Sequence, residues 1–270
     1  MNFSPLPLMV VVLVPCLLTL AIWRLSRGQA GWQAVGASFF LGGLAVWPVI
    51  RVSNWVEDQV VGWADHYYLA RLVEEILATA LPEELGKGLA ALLVLRFAGA
   101  RFSPLGWLGC LAAAHAGFAA VEGMFSALGN EGNLKVLIGR TFGAISHASW
   151  GIMAGWFLWR GWSGEGRRSL HYGAAVLIPV LLHAVGNASL VEVPGAVNSV
   201  ENATPPLSEV LIVLSGMGSL ILTAALAAVC LGQARRWRSR TLDEGGELEE
   251  AVSPRLSKVS AASITSIQTA

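Results

Sequence analysis

The 270-residue chain predicts an all-α fold: a polytopic membrane bundle of about seven transmembrane helices, with four central helices forming a polar site. Three observations predict it. Hydrophobic residues make up 54% of the chain and charged residues only 13%, whereas a soluble domain is about one-quarter charged. Apolar runs approaching the roughly 20 residues that a helix needs to cross hydrocarbon recur along the sequence. Lys and Arg collect in alternate connecting segments, as they do when successive helices cross a membrane in opposite directions. The formal net charge is zero, so no overall basic field exists for nucleic acid, which is excluded as a partner.

Taken in order, the predicted spans cover residues 6–23, 32–50, 76–97, 105–128, 136–159, 172–191 and 210–231. The first lacks a basic leader region and an A-x-A-like cleavage site, which predicts a retained span rather than a signal peptide. Residues 51–68 are polar and carry tryptophan, which suits the membrane interface. Residues 241–270 are acidic and then Ser/Thr-rich, and predict a disordered cytoplasmic tail. The expected organisation is therefore a multi-pass domain over residues 1–240, with its motif-bearing core at about 70–190, and a tail over 241–270. One set of loops carries Arg24 and Arg27, then Arg96 and Arg101, then Arg160, Arg167 and Arg168, then Arg235, Arg236, Arg238 and Arg240. The opposite set carries only Arg51 and Lys135. This places the N-terminus outside and the C-terminus in the cytoplasm. Cys16, Cys110 and Cys230 lie far apart in apolar runs and read as small buried hydrophobes. Gly139 with Gly143, and Gly151 with Gly155, have the spacing that lets transmembrane backbones approach.

An ionisable residue at mid-bilayer costs at least about 2.5–3.5 kcal/mol on insertion scales. The first, second and seventh spans carry none; the third to sixth carry several. In the third, Glu83 and Lys87 are four apart and share a face, while Glu84 is offset around the axis. Pro82 can alternatively open an interfacial helix with the glutamates in its first turn. The apolar run after Lys87 ends near Phe97, too short to span alone, which draws the glutamates into the membrane. The fourth span holds Glu122 in Phe118-Ala-Ala-Val-Glu122, with His115 seven residues earlier on a similar face; a packing role for His115 is the alternative. The fifth holds His147, with Arg140 snorkelling towards the outer interface. The sixth holds His183 and Asn187, four apart, which can also simply bond neighbouring helices. Counted from the cytoplasmic helix ends, Glu83, Glu84, His147, His183 and Asn187 all lie about 18–24 Å deep, and Glu122 about 28 Å deep. Helices running in alternating directions thus place their polar groups in one layer.

Carboxylates, imidazoles and an amide in one wet pocket suit hydrolysis. A glutamate can take a proton from water and return it to a leaving amine. Glu83, Glu84, Lys87 and Glu122 can divide into an ionised base and a protonated acid. His147, His183 and Asn187 can hydrogen-bond a developing oxyanion. Zinc is the alternative, held by Glu122, His147 and His183 with one open position. The absence of H-E-x-x-H favours glutamate-activated water without a metal cofactor.

Glu83-Glu84-Leu85-Gly86-Lys87, Phe118-Ala-Ala-Val-Glu122, His147 and His183-Ala-Val-Gly-Asn187 resemble, in order and helix placement, the motifs of the PrsW family of intramembrane proteases. That family is related to the CAAX-processing and bacteriocin-immunity superfamily. The resemblance covers about residues 70–190. It implies a multi-pass membrane peptidase, metal-dependent or of glutamic type, acting on membrane-anchored proteins in a lipid bilayer. It further implies an anti-sigma-factor-like substrate cut on the extracytoplasmic side and, in a bacterium, the cytoplasmic membrane as location. Glu122 stands where the prenyl-protein relatives have histidine, which argues against a prenylated substrate. His115 lies outside the pattern. A proton-coupled membrane transporter, which also uses intramembrane Glu and His, and a non-catalytic immunity or receptor protein are the rival readings. No internal repeat of the transporter type is visible.

Overall fold

In hydrocarbon, backbone N–H and C=O groups find no water, so an apolar chain satisfies them within helices. The structure, a computed structural model, describes residues 6–26, 31–60, 72–98, 103–129, 134–164, 166–199 and 207–243. These form seven helices and no strand. They are α1 (Leu6–Leu25), α2 (Trp32–Val60), α3 (Leu81–Ala98, preceded by a π-helical turn at Glu75–Ala80), α4 (Pro104–Gly129), α5 (Leu134–Ser163), α6 (Arg168–Ser199) and α7 (Leu207–Asp243). Each predicted span falls on one of them. Four stretches, Trp32–Val60, Pro104–Gly129, Arg168–Ala188 and Met217–Ser239, are individually long and apolar enough to cross a membrane. Met9–Leu25 is a shorter apolar helix. Glu83, Glu84 and Lys87, which dilute α3, and Arg140 of α5 belong to the site described below. Two compact units divide the chain, Met1–Leu231, which holds the bundle, and Gly232–Ala270. The latter is described to Asp243 and is helical there.

The centre of the bundle is α4. Every residue from Pro104 to Ala120 is buried, and most are Gly or Ala, so neighbouring backbones come close. A Cβ added at Gly42 of α2 would overlap the Ala114 carbonyl, and one at Gly117 would overlap that of Phe39. Gly151 and Gly155 of α5 seat against Ala112 and Leu108 in the same way. Gly139 and Gly143, the other spaced pair, have nothing within 4 Å of an added Cβ. On the other side of the site, Ala80, Val180 and Ala184 join the π turn to α6. Large apolar side chains point outward along the bundle, among them Leu17, Phe40, Leu89, Leu93, Leu177, Leu181 and Ile221. Lipid is as apolar as they are, so this exposure carries no cost in a bilayer.

Three local details differ from expectation. Residues 51–60, read as interfacial, prolong α2 as helix, while 61–71 lie outside the described residues. Cys16 is exposed rather than buried, whereas Cys110 and Cys230 are buried; Cys16 sits on the outward face of a helix whose surroundings are apolar in either direction. Residues 241–243 of the expected tail are the last residues of α7, and 244–270 lie outside the described residues. Pro82 does not open a free helix. Helical structure is continuous from residue 72 to 98. Because proline lacks the N–H that an α-turn needs, the backbone before it widens, and the Leu81 N–H donates to the Ile76 carbonyl five residues back.

Candidate active site

Lys87 sits at the focus of the site and is fully buried. Its ammonium has three N–H donors and meets three acceptors: Glu83 Oε2 at 2.8 Å, Glu84 Oε1 at 2.8 Å and His147 Nδ1 at 2.9 Å. Spacing explains the first two, since residues three and four before Lys87 lie on its face of α3. The third crosses to α5. The Phe118 ring lies 4.5 Å from Nζ and closes the remaining side with its π face. An unpaired ion at this depth is prohibitively costly, so these partners are the condition for Lys87 to be there at all.

Glu84 is bound on all sides. Besides Lys87, it accepts from His183 Nδ1 on Oε1 at 3.0 Å, and it meets His115 Nε2 on Oε2 at 2.9 Å. His115 Nδ1 faces the Leu111 carbonyl at 2.8 Å. Both nitrogens of His115 therefore face oxygen atoms. His183 donates its Nδ1–H to Glu84, which leaves the Nε2 lone pair on the side of Glu83 Oε2, 3.9 Å away. That gap is too long for a hydrogen bond and suits an intervening atom. Trp150 stacks on His183 at 4.4 Å and is itself anchored by Nε1 donating to Thr223 Oγ1 of α7 at 3.3 Å.

Glu83 is the more accessible of the two adjacent acids, its side chain 11% exposed against 3% for Glu84. Glu122 is more open still. It pairs with Arg140 of α5 through Oε1, and its Oε2 lies 3.5 Å from His147 Nε2. The Asn187 Nδ2 donates not to the Lys87 cluster but to Glu75 Oε2 at 3.2 Å. The structure thus brings Glu83, Glu84, Lys87, His147 and His183 into one cluster. Glu122 flanks it, and Asn187 lies one helical turn beyond His183. Sequence reasoning left the role of His115 open and did not weigh Glu75 or Thr223. The signal for Glu75 was a second Glu-Glu pair, Glu74-Glu75, nine residues before the first and just outside the predicted span that begins at residue 76.

A metal has one candidate place among the described residues. One donor each from Glu83, His147 and His183 comes within 4.8 Å of the others. Sequence reasoning put Glu122 in that set; here the carboxylate that joins the two histidines is Glu83. One carboxylate and two imidazoles match the requirements of a zinc-type site. Glu84 on His183 Nδ1 is the kind of outer partner that fixes a ligating tautomer. The residues present therefore fit a metal, with one condition: His147 can ligate only when Lys87 releases its Nδ1.

Comparison with curated proteins and with solved structures gives no match. Comparison with protein families matches residues 30–216 to the PrsW family intramembrane metalloprotease. The matched stretch starts before α2, takes in every residue of the site just described except Thr223, and ends within α7. Buried acids, imidazoles and a lysine converging in an apolar bundle, over a match that covers well over half of the chain, lead to one conclusion: this protein belongs to the PrsW family of intramembrane metalloproteases.

Proposed function

We propose that this membrane protease hydrolyses peptide bonds of membrane-anchored proteins by water activated beside Glu83. The observation that carries the reading is the convergence of Glu83, His147 and His183, from three different helices, on one small volume. Glu83 suits the general base because it is more exposed than Glu84, and because its Oε2 faces the gap below His183 Nε2. A water held there gives a proton to Glu83 as its oxygen attacks the scissile carbonyl carbon. The tetrahedral oxyanion takes hydrogen bonds from the Nε2–H of His147 and the Asn187 amide. Collapse breaks the C–N bond, and Glu83 passes its proton to the departing amine. Glu84 does not share this work in our reading; it orients His183, His115 and Lys87. A divalent metal held by Glu83, His147 and His183 would supply Lewis-acid polarisation of water and carbonyl.

The finer reading follows the family. Kinship with the CAAX-processing superfamily, an anti-sigma-factor-like substrate, an extracytoplasmic N-terminus and a bacterial cytoplasmic membrane are supported by the motif order and by the alternation of Lys and Arg between loops. Family membership favours hydrolysis over a proton-coupled carrier or a non-catalytic receptor.

The test is turnover by purified protein in liposomes with a library of transmembrane peptides. The expected result is cleavage by the native chain and a loss of about 10²–10⁴-fold in kcat for E83Q, with the variant still folded. Native turnover by E83Q overturns the assignment. A chelator in the same assay separates the chemistries. Activity that falls with bound metal and returns with zinc assigns the metal route, and full activity in a metal-free preparation assigns glutamate chemistry.

A further inference from the structure

Glu75 is a carboxylate only 5% exposed in the interior of an apolar bundle, and the mechanism above does not use it. Its position depends on the π turn. Eight residues separate Glu75 from Glu83, which in an unbroken α-helix would set them about 80° apart around the axis. The turn at Glu75–Ala80 absorbs one extra residue. The effective separation becomes seven, and Glu75 returns to the face of Glu83, about two turns along the same helical run. Asn187 stands one turn beyond His183 on α6. The contact of Ala80 with Val180 and Ala184 brings these two segments together. Two polar layers result: His183 with Glu83 and Glu84, and next to it Asn187 with Glu75. Single π turns inside α-helices occur often at functional sites.

We propose that Glu75 is a positioning residue of the active site, whose carboxylate fixes the Asn187 carboxamide for the oxyanion. The proposal rests on the reading of Asn187 given above. A carboxylate accepts and does not donate, so Nδ2 must turn to Glu75 Oε2, where it lies at 3.2 Å. The amide cannot flip without facing oxygen with oxygen. Its second N–H and its carbonyl are then held in set directions, which is what pre-organisation of an oxyanion donor requires.

The experiment is steady-state cleavage in liposomes by the native chain, E75L, E75A, E75Q, N187A and the double variant E75L/N187A. E75L keeps apolar bulk and removes the acceptor, E75A removes it without the bulk as a second reading, and E75Q keeps an acceptor oxygen. The expected result is a loss of about 10–100-fold in kcat for E75L, of the size found for other outer-shell partners, with KM held within about twofold. E75Q recovers most of that loss. The double variant is no slower than N187A, because the two residues act as one unit. A purely structural role would lower yield and melting temperature without this non-additivity. If N187A is impaired while E75L and E75A keep native kcat, or if the losses multiply, the proposal is overturned and the reading of Asn187 stands. Native turnover by N187A overturns both the role of Asn187 and this proposal, while E83Q continues to report on the site as a whole.

Discussion

Two acids of this protein are each paired with a cation from the bundle, and their surroundings differ sharply. Glu84 is 3% exposed and is held by Lys87, His115 and His183. Glu122 is 28% exposed, with Arg140, itself 37% exposed, on one oxygen and His147 at 3.5 Å on the other. The first arrangement saturates its carboxylate and leaves nothing free to react. The second leaves its carboxylate room to exchange partners. In one bundle, burial turns a glutamate into a scaffold, and partial exposure keeps another adaptable. Glu83 lies between these extremes, bonded to Lys87 yet open towards His183, and that is where a base that must gain and lose a proton belongs.

The comparison breaks first at Lys87. K87A leaves Glu83 and Glu84 buried without their shared cation, and removal of one partner from a buried ionic set costs about 3–5 kcal/mol. The variant is expected to lose most of its folded yield and its cooperative melting transition in detergent. A native melting temperature for K87A would show that water reaches the cluster and that the scaffold description of Glu84 is wrong. H115A comes next. It removes one of three partners from Glu84, at about 1–3 kcal/mol, read as a lower midpoint in the same melting assay. The smallest effect is expected at the open pair: R140Q costs at most about 1 kcal/mol, as for a solvent-accessible ion pair. A loss at R140Q as large as that at K87A would erase the distinction between the two regions.

How much of this was legible in the sequence differs between fold and site. The helices were legible because apolar runs of membrane length have few alternatives, and all seven appear where expected. Their ends were less so: α2 continues ten residues past Ile50 to Val60, because the polar stretch that marks an interface does not by itself stop a helix. In the site, the common depth of Glu83, Glu84, His147 and His183 foretold their convergence. What spacing could not supply was the distance between helices. His115 and Glu122 share a face of α4 in the heptad sense, yet His115 reaches Glu84 of α3 while Glu122 reaches Arg140 of α5. Arg140, read as snorkelling outward, is half of that pair. The carboxylate grouped with His147 and His183 was read as Glu122 and is Glu83, a choice that turns on a few ångströms of interhelical packing. Glu75 was missed for a different reason: the third predicted span began one residue after it, and the π turn that returns it to the face of Glu83 leaves no mark in the helical period.

The central claim is that Glu83, His147 and His183 surround a single reacting centre. Turnover of E83Q, H147A, H183A and the triple variant, measured side by side in liposomes with one cleavable transmembrane peptide, tests it most directly. The prediction is that each single variant is already nearly as slow as the triple one, as for residues that act as a unit. Near-native turnover by the single variants, or losses that multiply towards the triple, would mean that the three residues serve separate tasks and that no common centre exists.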